Sequence, residues 1–182
     1  MIKEYFNGIK VLLLDGGGRQ TLSILYGLKK IGCNVTVICT SKLDVCNASW
    51  FPNKKIVDSS ADNDDKYLEL IVNEVSSGKY DVLLPVTEMT TDLITQHEEI
   101  ISKYVRIACA RREAYAQAHN KQLTFEKAMA LGVPCPLTRR INESVEEYIN
   151  RANFPIIIKP RLGVGSIGFK KIDTKNQFSP SR

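Results

Sequence analysis

The chain has 182 residues, of which 43% are hydrophobic and 25% charged, a balance typical of a soluble globular protein with one core and part of a second. Its net charge of +5 is dispersed without a basic block, so we expect no nucleic-acid partner. No signal peptide or membrane-length apolar run is present, and we expect no membrane association. Five scattered cysteines without a C-x-x-C pair indicate reduced thiols in a cytoplasmic protein.

The first 110 residues alternate between apolar strands and amphipathic helices. We predict strands at 9–14, 35–39, 55–57, 81–84 and 105–109, with helices at 20–31, at 68–78 and from 87 to about 104. Such alternation indicates parallel β-α-β units with right-handed crossovers, so the predicted fold class is α/β with a Rossmann-like doubly wound parallel sheet. In the loop after the second strand, Trp50, Phe51 and Pro52 are expected to pack as an anchor.

Ligand sites in such sheets lie at the carboxyl ends of the strands. Gly17 and Gly18 follow the first strand and Thr87 and Glu88 follow the fourth, so we predict that these two loops face a substrate. The sequence leaves open an alternative in which the glycines only form a tight turn and Thr87 only caps a helix. A nicotinamide cofactor is disfavoured, because the dinucleotide motif lacks its third glycine and the second strand ends without an acidic residue.

The alternation of strands and helices ends near residue 110. We therefore predict two domains, 1–110 and 111–182, linked through a short polar helix. Asn120 is placed to cap a helix that Gly132 ends, and the prolines that follow prevent its continuation. Next we predict a strand at 137–141 and a helix at 142–150, capped by Asn142 or Ser144.

The segment 155–169 carries the strongest functional signal, because an apolar run ends at Lys159 and a glycine-rich turn follows. The residues of that turn with a predicted phosphate role are Gly163, Gly165, Ser166 and Gly168. A dinucleotide site requires a helix directly after such a turn, and none is predicted here. A P-loop requires lysine at the position that Phe169 occupies. Protein-kinase motifs are also absent from the sequence. We therefore predict a strand–flap–strand hairpin that folds over phosphates, with an ordinary glycine-rich hairpin as the alternative.

In their order and spacing, these segments resemble the amino-terminal portion of ATP-grasp enzymes, and most closely the stand-alone proteins similar to the carbamoyl-phosphate synthase large subunit. Segments 11–19 and 81–88 resemble the Rossmann-like domain that precedes the grasp. Asn120-Lys121 with 132–136 resembles the start of the grasp module, and 155–168 resembles its first phosphate-binding strand and loop. The resemblance implies a Rossmann-like pre-ATP-grasp domain followed by an incomplete ATP-grasp subdomain.

The resemblance also implies that Lys121 and Lys159 contact the phosphates of ATP while the glycine flap closes over them. Two cations and several N–H groups would neutralise the polyphosphate before transfer. Mg²⁺ is expected only in the complete enzyme, because the family's metal ligands come later than the end of this sequence. We therefore expect no catalytic and no metal-binding residue here, and no catalysis by this chain alone.

A complete enzyme of this kind would activate a carboxylate as an acyl phosphate for attack by an amine, so the chain is expected to be a fragment of such a ligase. Its expected partners are ATP and either the missing half of the grasp domain or a separate partner chain. A shortened chain, a product of a split gene and a degenerate remnant all stay open. The alternative function is a non-catalytic nucleotide-sensing or assembly module that docks a partner chain.

Overall fold

The computed structural model describes residues 2–163 and 167–178, so the predicted flap residues Gly165 and Ser166 lie outside the described residues. The chain divides into two compact units, Met1–Arg112 and Glu113–Arg182. The functional assignment of the two units, as a pre-ATP-grasp domain and the start of a grasp module, stays a prediction. No helix among the described residues combines the length and the apolar character needed to cross a membrane.

The first unit is built on a parallel sheet, which has five strands within the described residues. In chain order these are β1 (Lys10–Leu13), β2 (Asn34–Cys39), β3 (Lys54–Val57), β4 (Val82–Leu84) and β5 (Arg106–Ile107). They lie side by side as β3-β2-β1-β4-β5, and every neighbouring pair is parallel. This order confirms the predicted α/β, Rossmann-like class of fold.

The first helix of this unit precedes β1, and the other helices lie in the connections between strands. They are α1 (Ile2–Phe6), α2 (Arg19–Lys30), α3 (Val45–Ala48), α4 (Asp64–Ser76), α5 (Glu88–Gln96) and α6 (Glu98–Ile101), with a 3-10 turn at Ser59–Asp62. The helix predicted from 87 to about 104 is therefore two helices. They divide at His97, whose φ of −111° and ψ of 21° take the backbone out of the helical conformation.

The two faces of the sheet carry separate apolar cores, because side chains alternate along each strand. On one face, Val11 and Leu13 lie in a buried cluster with Leu25 of α2. On the other face, Leu12 lies in a second buried cluster with Ile71 of α4. Helices therefore cover both faces, and the near-continuous apolar run of β1 is explained by burial on both sides.

The strand order reverses between β1 and β4, since β2 and β3 extend the sheet on one side and β5 on the other. In open parallel sheets this reversal is the topological switch point, where the loops that leave neighbouring strands diverge and a crevice opens. The loops after β1 and β4 are those that contain Gly17, Gly18, Thr87 and Glu88. The fold thus brings the two predicted substrate-side loops to one edge of the sheet.

The second unit consists of short helices and a hairpin. Its elements are α7 (Arg112–His119), which begins at the unit boundary, α8 (Lys121–Ala130), α9 (Val145–Arg151), β6 (Ile156–Ile158), β7 (Lys170–Ile172) and a 3-10 turn at Lys175–Gln177. Strands β6 and β7 are antiparallel, with Ile157 opposite Lys171. The segment after Lys159 therefore connects two strands of a hairpin, as predicted.

The strand predicted at 137–141 is wrong, because this segment is irregular. Side chains use its backbone polar groups in place of a ladder of strand bonds. The carboxylate of Glu126 accepts the Ile141 N–H at 2.7 Å, and the Tyr148 hydroxyl donates to the Leu137 carbonyl at 3.1 Å. The helix that follows is capped by Ser144, whose side chain forms a capping box with Glu147.

The expected anchoring of the loop after β2 by its aromatic residues is also wrong for Trp50. This side chain is 98% exposed. Phe51 instead packs against Tyr26 of α2 in an edge-to-face arrangement, with ring centroids 5.3 Å apart.

Candidate functional site

Asp15, the residue after Leu14 at the carboxyl end of β1, ties together the two loops of the switch point. Its Oδ2 accepts the backbone N–H groups of Val86 and Thr87, both at 2.9 Å, and the hydroxyl of Thr90 at 2.6 Å. Its Oδ1 accepts the Thr87 hydroxyl at 3.2 Å. We call residues 15–18 and 86–90 the switch-point edge, because this carboxylate holds them as one structure.

The three glycines of the switch-point edge meet different surroundings. A Cβ on Gly16 would lie 2.8 Å from the Ile38 carbonyl oxygen and closer still to the sulfur of Cys39, so no side chain fits there. Gly17 is exposed, and Gly18 is the N-cap of α2 and makes no side-chain capping bond. Gly16 therefore serves the close approach of two strands, whereas a Cβ on Gly17 or Gly18 would meet only side chains, those of Asp44 and Gln20.

Thr87 and Glu88 begin α5 at the same edge. Thr87 is the N-cap, and its hydroxyl accepts the Thr90 N–H at 3.3 Å. Glu88 occupies the first turn, where a carboxylate is stabilised by the helix dipole. The capping role that the sequence left open for Thr87 is thus present, and contact of Thr87 or Glu88 with a substrate stays a prediction.

The sequence placed Asp15 in a loop that could face a ligand, but it did not predict how Asp15 and a second acidic residue, Asp44, shape this edge. Asp15 has a left-handed backbone with φ of 64°, which Asp tolerates better than most residues. Asp44, the N-cap of α3, accepts the Thr40 N–H at 2.7 Å, and its Oδ1 lies 3.2 Å from the position of a Cβ on Gly17. The only sequence signal for Asp15 is its place between a buried strand and three glycines. Asp44 stands too far from β2 along the chain to have been predicted.

Burial makes the titratable groups beneath this edge poor nucleophiles. The pKa of the Cys39 thiol is raised to about 11, first by desolvation and then by the negative charge of Asp44. The pKa of the Tyr67 hydroxyl is also raised, by burial first and by the charge of Asp15 second. Both groups stay protonated at neutral pH, so neither is an activated nucleophile.

In the second unit, the start of α8 holds the first predicted phosphate-binding lysine. The Asn120 side chain accepts the Gln122 N–H at 3.0 Å and the Leu123 N–H at 3.3 Å, which confirms Asn120 as the N-cap. Lys121 donates through Nζ to the Gly163 carbonyl at 2.6 Å, and its backbone N–H donates to the Arg161 carbonyl at 3.0 Å. Lys121 is therefore held against the first residue of the predicted flap.

The second predicted lysine lies at the end of β6. The ammonium of Lys159 stands 5.0 Å from the centroid of the Phe125 ring on α8. Gly168, with φ of 74°, turns the chain towards β7, and a Cβ there would lie 2.8 Å from Cγ of Pro160. The backbone of the flap therefore requires glycine at 168. Gly163 has a φ of 101°, which also favours glycine.

Both lysines line one cavity of about 650 Å³, which we call the lysine cavity. Its apolar wall includes Phe125, Leu137, Val145, Ile149, Ile156 and Phe178. Its charged lining residues are Lys121, Arg139, Lys159 and Arg161, and no carboxylate stands among its described lining residues. An apolar cavity with only positive charges suits an anionic ligand that also has an apolar part. The amide nitrogen of Gln122, which also lines it, is buried without a hydrogen-bond partner in the described structure.

The residues present do not fit a magnesium site. Within the described ranges no three His, Cys, Asp or Glu residues cluster closely enough to hold a metal ion. Asp173, the acid nearest in sequence to the flap hairpin, pairs with Lys171 at 2.5 Å. Mg²⁺ prefers carboxylate and water oxygens, and the part of the lysine cavity that the structure describes offers no carboxylate.

No protein-family model and no curated protein matches the sequence significantly. The structure is similar to that of N5-carboxyaminoimidazole synthetase from Staphylococcus aureus complexed with ADP, with a TM-score of 0.70 and 19% identity over 94% of this chain and 43% of that chain. That synthetase is an ATP-grasp enzyme. The fold is that of the amino-terminal part of an ATP-grasp enzyme.

Two further ATP-grasp structures support this result. The biotin carboxylase domain of Hydrogenobacter thermophilus 2-oxoglutarate carboxylase, in complex with MgADP, ADP and bicarbonate, has a TM-score of 0.70 and 17% identity over 94% of this chain and 39% of that chain. The L-amino acid ligase from Bacillus licheniformis has a TM-score of 0.67 and 11% identity over 94% of this chain and 40% of that chain. The chain thus spans about two fifths of the length of these ATP-grasp proteins.

Proposed function

We propose that this chain is the amino-terminal fragment of an ATP-grasp ligase similar to carbamoyl-phosphate synthase, and that its own part in the reaction is to bind nucleotide phosphates. One observation carries the proposal. Lys121 and Lys159, chosen from the sequence, line a single cavity, and every charged residue in its described lining is cationic. The ATP-grasp fold supports the same function, as does the presence of ADP in the S. aureus neighbour.

The lysine cavity supplies two of the features that polyphosphate binding needs. Lys121 already donates to a carbonyl oxygen, and a phosphate oxygen is a stronger acceptor for the same ammonium. The exposed ammonium of Lys159 has no salt bridge among the described residues. The predicted flap residues Gly163, Gly165, Ser166 and Gly168 would add backbone N–H groups above the phosphates.

In the complete ligase, a carboxylate oxygen of the substrate would attack the γ-phosphorus of ATP, and the bond from that phosphorus to the bridging oxygen of ADP would break. The products of this step are an acyl phosphate and ADP. An amine would then displace inorganic phosphate. The residues of this chain would position the phosphates and lower their charge, whereas metal ligands would come from the part of the protein that this chain does not span. The loops of the switch-point edge, with Gly17, Gly18, Thr87 and Glu88, would face the acceptor substrate.

The proposal is tested by calorimetric titration of the chain with Mg-ATP, with NADH as the control ligand. We expect saturable binding of ATP alone. Replacing Lys159 by Ala should raise the Kd about tenfold or more, because a charge-assisted bond to phosphate is lost. The Lys127→Ala variant is the matched control, since Lys127 is exposed on α8 and does not line the cavity. Equal ATP affinity of the wild type and Lys159→Ala would refute the proposal.

A second candidate function is a non-catalytic nucleotide-sensing or assembly module that docks a partner chain or the missing half of the grasp domain. It is favoured by exposed apolar side chains around the hairpin, where Ile157, Leu162 and Ile167 are 57%, 53% and 81% exposed. Analytical ultracentrifugation and binding of a hydrophobic dye test this function. A dye-negative monomer would contradict it.

A further inference from the structure

Lys159 is held by an aromatic ring and not by an acid. Its ammonium lies 5.0 Å from the centroid of the Phe125 ring, and it forms no salt bridge within the described residues. Phe125 stands four positions after Lys121 on α8, so the two side chains share one face of the helix. The ring therefore brings the end of the Lys159 side chain to the face of α8 that carries Lys121.

The choice of an aromatic partner has an electrostatic consequence. A carboxylate in place of the ring would hold the ammonium more firmly, but it would cancel the charge and repel an incoming phosphate. A π face attracts a cation without carrying net charge. The lysine cavity, whose described lining contains no carboxylate, thus keeps both positive charges available to a ligand.

We propose that Phe125 is a positioning residue for nucleotide binding, which holds the Lys159 ammonium ready for a phosphate oxygen without neutralising it. This inference rests on the proposed function. Phe125 acts through Lys159, and it makes no contact of its own with the phosphates. Contact with the ring restricts the conformations of the long Lys159 side chain before the ligand binds, so less conformational entropy is lost on binding.

A double-mutant cycle tests this role, with ATP and inorganic tripolyphosphate as separate probes. Phe125→Leu keeps an apolar side chain and removes the π face. We expect it to raise the Kd of both probes about two- to fivefold, the range that corresponds to an exposed cation–π contact. In a Lys159→Ala background the same change should have no effect, because the cation is gone. Phe125→Tyr, which keeps a π face, should restore wild-type affinity.

Phe154 supplies the matched control, since it belongs to the same unit, does not line the lysine cavity and has no cation over its ring among the described residues. Phe154→Leu should leave tripolyphosphate affinity unchanged. A structural role of Phe125 would instead give the same loss with and without Lys159, and a role in contacting the nucleobase would affect ATP but not tripolyphosphate. Either result overturns the inference.

A measurement on the unmutated chain covers the case in which a Phe125 variant does not fold. The ring current of Phe125 should shift the side-chain methylene protons nearest the Lys159 ammonium upfield in the NMR spectrum, and an unshifted signal would overturn the inference. Failure of the proposed function is distinguishable, because then Lys159→Ala binds both probes like the wild type or neither probe binds at all. If Lys159→Ala loses affinity and Phe125→Leu does not, only the inference fails.

Discussion

Replacing Asp15 by Ala should destabilise the first unit through the two backbone N–H groups that its carboxylate satisfies. Those of Val86 and Thr87 both donate to Oδ2 at 2.9 Å. Each buried donor left without an acceptor costs about 1–3 kcal/mol, and because Asp15 is only half-buried, water replaces part of each bond. We therefore expect the free energy of unfolding to fall by about 3 kcal/mol. The left-handed backbone acts in the same direction, because Ala tolerates a φ of 64° less well than Asp does.

Urea unfolding followed by circular dichroism measures this loss, provided that the slope with denaturant is the same for both proteins. Asp92→Ala is the matched control, because Asp92 accepts one bond from Gln96 on the surface of α5, and its removal should change stability by less than about 0.5 kcal/mol. If Asp15→Ala is as stable as Asp92→Ala, the carboxylate does not hold the two loops of the switch-point edge together.

Three further changes test local features of the fold. Gly16→Ala should lower the free energy of unfolding by about 1–3 kcal/mol through overpacking. Gly27→Ala, in open space on α2, should raise it by about 0.5–1 kcal/mol. Urea unfolding measures both changes, and a Gly16→Ala protein more stable than Gly27→Ala would contradict the strand contact at Gly16. Ser144→Ala should reduce stability by about 1 kcal/mol through loss of the capping box, and an unchanged unfolding midpoint would count against that cap. Hydrogen bonds from Arg151 lower the pKa of Glu143 from 4.5 to about 2. The stability that this pair contributes is therefore fully present above pH 4.5 and should be lost as the pH falls towards 2. Thermal unfolding measured against pH should show this loss in the wild type and not in Glu143→Gln.

The sheet was predictable from the sequence because its residues obey simple patterns. The apolar run that ends at Leu14 is continuous since both faces are covered, and helix α4 shows its buried stripe at helical spacing. The segment 137–141 was not predictable, because side-chain bonds from Glu126 and Tyr148 replace the ladder that its composition suggested. Such bonds depend on tertiary contacts that a local pattern does not contain.

The candidate site divides in the same way. Lys121 and Lys159 follow from a capped helix and a strand end, features that a sequence expresses locally. The role of Asp15 in joining the two loops was missed because its four hydrogen bonds reach residues that lie 71 to 75 positions away. Phe125 was missed because its ring serves a lysine from a different element, and nothing in the helical pattern separates such a ring from a core residue.

The exposed Trp50 has a consequence for spectroscopy. It is the single tryptophan of the chain, and its side chain is 98% exposed. An indole surrounded by water in the folded protein emits much as it does in the unfolded protein, so its fluorescence will report unfolding poorly. The same emission will respond strongly to any molecule that covers the loop between β2 and β3. Native fluorescence of this protein is therefore an assay for occupancy of that loop, and folding has to be followed through the backbone.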